Sequence, residues 1–346
     1  MSVVFRCNAG PSIGLGHLTR CRALAHALCE QGQQCVMVGP DLIYATPTDD
    51  QIFEDWIPVS DWSSSTEDAS KLIAIAQHYR AEWLVLDDYR IDEIYQLAVR
   101  AAGLRWLQFD GTANKPLWAD VVVNANPAVQ VDDYCAVLRN RNAQLLLGPQ
   151  YAILRPEFAS VERRAPGRRV KKILITFGGG DDRGANEFVL TTLVPKTPTE
   201  IQFSVVSGAS NPNNERLENW INSLGGGRVD LHINPESVAD LFVSCDLAVI
   251  AGGTTTYEAA YCALPMILVT IADNQINQSN AWASLGAAVN LGALDDVNPL
   301  NLIKNINAIL DDELKRKNMA IRGACLVNGC GSSDAAAFTV NFFSRI

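Results

Sequence analysis

The sequence predicts an α/β protein made of two doubly wound parallel-sheet domains in tandem. Three observations carry that expectation. Short β-branched runs alternate with longer amphipathic segments from end to end, the pattern of parallel strands covered by helices. The alternation breaks once, over residues 125–170, and restarts at Lys171. A chain of 346 residues, at roughly 150 per domain, is long enough for about two.

In the first domain, residues 1–155, strands are expected at 3–7, 35–38, 83–86, 105–109 and 120–124, each a short apolar run. Helical spacing falls at 17–31, 66–80 and 91–102. Leu18, Cys21, Ala25 and Leu28 form the expected buried stripe of the first helix. The basic, Pro- and Gly-bearing stretch from Glu162 to Arg169 reads as an interdomain connection. In the second domain, residues 156–330, strands are expected over 171–177, 202–207, 229–233, 246–251, 266–270 and 287–291. Helices are expected at 213–224, 235–243, 254–263, 275–285 and 299–310, and Asp311-Asp312-Glu313 reads as a solvated helix start. A last helix is expected over 333–343, with 331–346 packing back on the first domain. Doubly wound domains hold ligands at the carboxyl ends of their strands, so the chemistry is expected in a central cleft that the two domains face.

Composition excludes several classes. Lys and Arg number 28 against 38 Asp and Glu, a net charge of −10, so there is no global attraction for nucleic acid or anionic lipid. No stretch approaches 18 apolar residues, and Arg6 interrupts the first apolar run, so neither a membrane span nor a signal peptide is expected. The nine cysteines are scattered without a C-x-x-C pair and read as reduced core residues of a cytoplasmic protein. The four histidines are never at i, i+4, and no D-x-D triplet occurs, so no metal site and no cofactor are expected. Trp83, Trp106 and Trp220 read as packing residues.

Five segments at or after strand ends carry the candidate chemistry. In the loop from Asn8 to Arg20, Gly14 and Gly16 let backbone approach a ligand, and His17 falls in the first turn of a helix. There the unpaired N–H groups disfavour an imidazolium, and a neutral ring can act as general base; the other reading is a loop histidine satisfied by backbone. The run Gly252-Gly253-Thr254-Thr255-Thr256 opens a helix whose amides suit a diphosphate, with Glu258 one turn inside and in reach of a ribose diol; the other reading is a Thr cap with a Glu capping box. Gly178-Gly179-Gly180 either passes close to a ligand or opens a turn. Asn274 and Gln275 follow a strand and either bond sugar hydroxyls or start a helix. Asp87-Asp88-Tyr89 ends a strand and reads as a substrate-facing polar trio.

The loop Gly14-Leu15-Gly16-His17 with Arg20-Cys21 resembles the opening of the UDP-2,4-diacetamido-2,4,6-trideoxy-β-L-altropyranose hydrolases of pseudaminic acid biosynthesis. The likeness continues through Asp88-Tyr89, the segment from Gly148 to Phe158, Phe177-Gly178-Gly179, Gly252-Gly253-Thr254-Thr255 and Asn274-Gln275, and so spans nearly the whole chain. That family is similar in fold to the peptidoglycan lipid-linked N-acetylglucosaminyltransferase, a GT-B enzyme of two Rossmann-like domains. The resemblance implies metal-independent hydrolysis with inversion and C–O cleavage at the anomeric carbon. It implies His17 as general base and Gly14, Gly16, Arg20, Tyr89, Arg155, Asn274 and Gln275 as substrate contacts. For UDP it implies Gly178, Gly179, Gly252, Gly253, Thr254, Thr255 and Glu258, with uracil near Ile233. Asn8 and Asn328 stand where the family usually has Asp, which bears on sugar preference. The expected partner is a UDP-linked diacetamido-trideoxy sugar bound by a monomer. The alternatives are a GT-B glycosyltransferase using a UDP-sugar donor and a nucleotide-sugar-binding protein without chemistry.

Overall fold

The protein is described from a computed structural model, for residues 2–10, 13–59, 62–224, 227–331 and 333. The chain divides into two compact units, one built on the residues up to Gly10 and on His17–Pro156, the other on Glu157–Asn328, with which the loop up to Gly16 groups. The helix expected over 333–343, and the packing expected of 331–346, lie beyond residue 333 outside the described residues.

The first unit holds strands β1 (Ser2–Cys7), β2 (Gln34–Gly39), β3 (Asp55–Pro58), β4 (Trp83–Asp87), β5 (Arg105–Phe109), β6 (Val121–Asn124) and β7 (Gln144–Leu147), with helices α1 (Gly16–Glu30), α2 (Ser65–His78) and α3 (Glu93–Ala101). All strands are parallel, in the order β3-β2-β1-β4-β5-β6-β7. The order reverses between β1 and β4, and the carboxyl ends of those two strands form the crevice where such sheets bind ligands. Sequence reading does not find β3 or β7. The first is an edge strand ending in Pro58, as edges permit, and the second is Gln-Leu-Leu-Leu, without a β-branched residue.

Strand pleating decides what each face buries. Val3, Phe5 and Cys7 of β1 pack with Trp83 and Val85 of β4 against Leu18, Cys21, Leu24, Ala25 and Leu28 of α1, so the expected stripe is buried as read. Val4, Leu84 and Leu86 face the other way, onto Leu72 and Ala76 of α2 and Tyr95 and Val99 of α3. Each such aliphatic side chain contributes about 1.5–3 kcal/mol on full burial. Arg6 shares this second face and is 1% exposed. Its Nε and Nη2 donate to Asp68 at 2.9 and 2.8 Å, its Nη1 to the Cys7 carbonyl at 2.7 Å, and the Tyr95 hydroxyl donates to the same carboxylate at 3.0 Å. Gly39, at φ +129°, leaves room for this fork: a Cβ there would lie 2.3 Å from Arg6 Nη1.

The second unit holds β8 (Lys172–Thr176), α4 (Ala185–Leu193), β9 (Gln202–Ser207), α5 (Asn214–Ser223), β10 (Val229–Ile233), α6 (Ala239–Ser244), β11 (Leu247–Ile250), α7 (Thr255–Tyr261), β12 (Met266–Thr270), α8 (Ile276–Ser284), β13 (Ala288–Ala293), α9 (Pro299–Leu310) and α10 (Glu313–Leu326). Its six parallel strands run β10-β9-β8-β11-β12-β13, reversing between β8 and β11. All six expected strands are present. Asp312 caps α10 by accepting from the Lys315 N–H at 2.8 Å, as the acidic start anticipated. Two helices differ: α4 has no counterpart among the expected helices, and α6 begins at Ala239, not 235. Asn234 takes a left-handed φ of 48° ahead of Pro235, and Glu157 accepts the Val238 N–H at 3.1 Å, which defers helix entry by four residues. Trp83 and Trp106 are core residues, and Trp220 packs at the edge of the second core. Five cysteines are buried as expected, Cys29 is half-buried, and Cys135, Cys325 and Cys330 are exposed. No described helix is long and apolar enough to cross a membrane.

The Arg6–Asp68 pair makes a test of the first core. Asp68→Ala leaves a guanidinium buried without its carboxylate, and the expected loss is about 3–5 kcal/mol. Urea unfolding of the purified protein, followed by the fluorescence of the first unit's tryptophans, checks it; a midpoint unmoved from wild type refutes it.

Candidate active site

Each switch point carries one cluster of interest, and the two are built differently. In the first unit, β4 puts Trp83, Val85 and Asp87 on the α1 side by its period of two. Asp87 pairs in register with Cys7, the last residue of β1, and so stands at the reversal of strand order. From α1, His17, Arg20 and Cys21 project at i, i+3, i+4 onto this carboxylate. His17 Nδ1 lies 2.5 Å from Asp87 Oδ1. Arg20 grips both oxygens of Asp87 through Nε and Nη2, and its Nη2 is 3.1 Å from His17 Nδ1. Cys21 Sγ approaches Asp87 Oδ2 at 3.7 Å. The Arg20 guanidinium also lies over the Phe109 ring, 4.8 Å from its centroid, and Tyr89 meets the His17 ring edge-on at 4.7 Å.

Asp87 is 1% exposed. Burial alone would raise its carboxyl; the charge of Arg20 above all, with the hydrogen bonds from Arg20 and His17, outweighs burial and holds it well below the ordinary carboxylate range. Burial likewise works against the Arg20 cation, and Asp87 more than restores it, so the guanidinium is held above its usual value. The expectation of a substrate-facing trio is therefore corrected for two of its members. Asp87 is turned inward onto α1, and Asp88, one residue on, points to the opposite face, between Arg6 at 3.8 Å and Arg90 at 2.6 Å. Tyr89 alone stands 51% exposed. Arg20, expected on the substrate, has Nε and Nη2 committed to Asp87, because a buried carboxylate without a cation is too costly to keep ionised. Sequence reading noticed Asp87 but missed its role, and missed Phe109 altogether; the alternation of β4 is the signal that assigns Asp87 to the α1 face. Arg155 is half-buried near the end of this unit, Asn8 half-buried after β1, and Gly14 takes φ +81°.

In the second unit, β11 runs into Gly252 and Gly253 ahead of α7. A Cβ on Gly252 would lie 1.9 Å from Ser279 Oγ and 3.1 Å from the Gln275 carbonyl, so this glycine is required by the close approach of α8. Gly253 is different: the nearest atom to a Cβ there is Gln275 Nε2 at 3.8 Å. Thr256, fully buried, ties the turn together, donating to the Gly253 carbonyl at 2.8 Å and accepting from Gln278 Nε2 at 2.8 Å and Trp282 Nε1 at 2.9 Å. Gln278 also donates to the Gly253 carbonyl at 2.8 Å. Gln278, Ser279 and Trp282 were not anticipated. Thr254 and Thr255 are half-buried, and Thr254 makes no side-chain cap, contrary to the capping-box reading. Glu258 is 5% exposed, one turn inside α7.

The remaining candidates are placed as follows. Gly178 takes φ +99° to turn the chain after β8, and Gly179 lies backbone to backbone with Gly208, whose Cβ would be 1.9 Å from the Gly179 carbonyl. Gln275 Oε1 accepts from the Ile271 N–H at 3.0 Å, so half of its amide is engaged locally, and Asn274 is exposed beside it. Ile233 ends β10, 39% exposed, but no helix follows it directly. Asn328 is exposed, its carbonyl accepting from Arg163 at 2.9 Å. Among the described residues no three His, Cys, Asp or Glu gather as a metal-holding group.

The two glycines of the turn separate packing from binding. Gly252→Ala is expected to cost about 1–3 kcal/mol of stability or more through the clash with Ser279, whereas Gly253→Ala should stay within about 0.5 kcal/mol of wild type. Thermal unfolding of both variants checks this, and equal midpoints would show that α8 yields freely.

No family model matches the chain. It is 26% identical over 292 residues to the UDP-2,4-diacetamido-2,4,6-trideoxy-β-L-altropyranose hydrolase of Campylobacter jejuni, covering 84% of this chain and 98% of that protein. It is 24% identical to the spore coat polysaccharide biosynthesis protein SpsG of Bacillus subtilis, over 100% of this chain and 99% of that one. With an uncharacterized protein of Methanocaldococcus jannaschii it shares 23% identity over 78% of its own length, spanning 55% of that relative. Among solved structures, MurG of Acinetobacter baumannii matches with a TM-score of 0.66 at 16% identity, covering 98% of this chain and 99% of that one. The UDP co-structure of MnaA from Staphylococcus aureus matches at 0.65 and 13%, covering 100% and 97%. The resemblance read in the sequence is thereby borne out: the chain has the GT-B fold and is similar, over most of its length, to the UDP-2,4-diacetamido-2,4,6-trideoxy-β-L-altropyranose hydrolases.

Proposed function

We propose that the protein hydrolyses a UDP-linked 2,4-diacetamido-2,4,6-trideoxy-hexose, releasing UDP and the free sugar, as a cytoplasmic step of pseudaminic (nonulosonic) acid biosynthesis. The observation that carries this reading is the alignment with the Campylobacter hydrolase along 98% of that protein's length. The position of His17 at the carboxyl ends of β1 and β4 supports reading it as the base, since the fold places ligands there.

In the proposed reaction, water attacks the anomeric carbon from the face opposite UDP. The C1–O bond breaks, its electron pair stays on the β-phosphate oxygen, and His17 takes the water's proton, so the sugar leaves with inverted configuration. UDP is a good leaving group, and amides of the turn from Gly252 to Thr255 would steady its charge without a metal or a strong acid. Glu258 would meet the ribose, the backbone at Ile233 the uracil, and Gly178 and Gly179 the nucleotide. Gly14, Gly16, Tyr89, Arg155, Asn274 and Gln275 are assigned to the sugar side. Tyr89 has the clearest support, standing exposed against the His17 ring.

The test is purified protein with the UDP-sugar, EDTA and no acceptor. UDP should appear, and in oxygen-18 water the label should enter the sugar. Label in UDP would mean attack at phosphorus, turnover only with an added acceptor would mean transfer, and binding without release would mean no chemistry; any of the three overturns the proposal. His17→Ala is expected to abolish turnover while UDP affinity, by calorimetry, stays within about several-fold.

A further inference from the structure

We propose that Asp87, clamped by Arg20, is a positioning residue that fixes which nitrogen of His17 is free to take a proton. The inference rests on the reading of His17 as the base, and it concerns a residue pair that the likeness to the hydrolases assigns differently or not at all.

A neutral imidazole has one N–H and one lone pair, and the hydrogen bond made by one nitrogen sets the role of the other. Asp87 is ionised, so toward His17 it is an acceptor only. At 2.5 Å from Asp87 Oδ1, Nδ1 must be the nitrogen that carries hydrogen, which leaves the lone pair on Nε2. The Arg20 Nη2 contact to Nδ1 at 3.1 Å is then not a donation to a lone pair; Arg20 donates to the carboxylate instead, which both of its engaged nitrogens reach.

Arg20 does two things for this carboxylate. Its charge keeps Asp87 ionised at full burial, and its planar fork, holding Oδ1 and Oδ2 together, sets the plane in which Oδ1 faces His17. Arg20 is itself fixed from the other side by the Phe109 ring. The groups in contact with the imidazole are Asp87 from β4, Arg20 from α1 and Tyr89 from the segment after β4, while Cys21 approaches Asp87. Of these only Asp87 accepts at Nδ1, and it does so from the last residue of a central strand, a rigid mount. A base held this way keeps one direction and one tautomer between turnovers, which is the function of the buried carboxylate beside a catalytic histidine in hydrolases of other folds.

The experiment uses Asp87→Asn in the full-length protein. An asparagine of the same shape offers an amide N–H to Nδ1 and selects the opposite tautomer. Nitrogen-15 NMR of protein labelled in its four histidines, with His17 assigned by the loss of its signals in His17→Ala, should show Nδ1 protonated and Nε2 bare in wild type. In Asp87→Asn the pattern should reverse or mix, kcat should fall by roughly 100-fold or more, and KM and UDP affinity should stay within several-fold. A wild-type spectrum with hydrogen on Nε2, or an Asp87→Asn variant with full kcat, overturns the proposal. Arg20→Lys serves as the second variant should Asp87→Asn fail to fold. It keeps the charge but loses the fork, so kcat should fall by roughly tenfold with KM unchanged. A raised KM with kcat intact would instead place Arg20 on the substrate and refute the clamp. Wild type that releases no UDP removes the proposed reaction, while the tautomer measurement still decides the role of Asp87.

Discussion

A carboxylate at the carboxyl end of β4 is buried to 1% and stays charged only because a guanidinium from α1 lies across both its oxygens. Much in the first unit follows from that requirement. The strand must end where α1 begins its first turn, so that His17 and Arg20, three residues apart, reach the same two oxygens. The helix must lie flat on the sheet at this end, which the stripe from Leu18 to Leu28 secures by packing on Val3, Phe5 and Val85. Phe109 must stand one strand further along to face the guanidinium. The apolar core and the polar cluster are one construction, because the pleat and helical spacing that bury the leucines also deliver the charges.

The second unit solves its switch point with backbone. Gly252 admits α8 to within contact of the turn, and Thr256, Gln278 and Trp282 hold the Gly253 carbonyl in place. The bonds to that carbonyl come from Thr256 of α7 and Gln278 of α8. The turn is thus braced by hydroxyl, amide and indole groups. Of the two glycines, one serves packing and the other leaves space, a division that identical letters in a sequence do not reveal.

The strands and the burial of the α1 stripe were legible because hydrophobic period is a local property, and β1, β4, β8 and β12 are short runs of mostly apolar residues. The short edge strands β3 and β7 were not, since Asp55-Trp56-Ile57-Pro58 and Gln144-Leu145-Leu146-Leu147 carry little pattern and owe their state to a neighbouring strand. His17 was legible as a candidate from its glycine loop. Its partner was not, because Asp87 lies 70 residues away and nothing near His17 announces which strand will pair with β1. The same limit explains why the carboxylate that engages Arg20 was not foreseen. It also explains α6, whose start is set by Glu157, a residue 81 positions earlier.

The charge of the whole protein bears on this arrangement. On the proposed reading, a chain of net charge −10 that takes a dianionic nucleotide cannot rely on its overall field. At physiological salt, however, charges more than about 8–10 Å away are largely screened, so the local surroundings decide. In the first unit the guanidinium of Arg20 beside His17 is matched by Asp87, so the two charges cancel when the imidazole is neutral. For the proposed reaction, that neutrality keeps both a repulsive carboxylate and a competing cation away from an anionic substrate. On the proposed reading, the diphosphate is then left to the main-chain dipoles of the Gly252–Thr255 turn, and the base stands beside the sugar without competing for the phosphates.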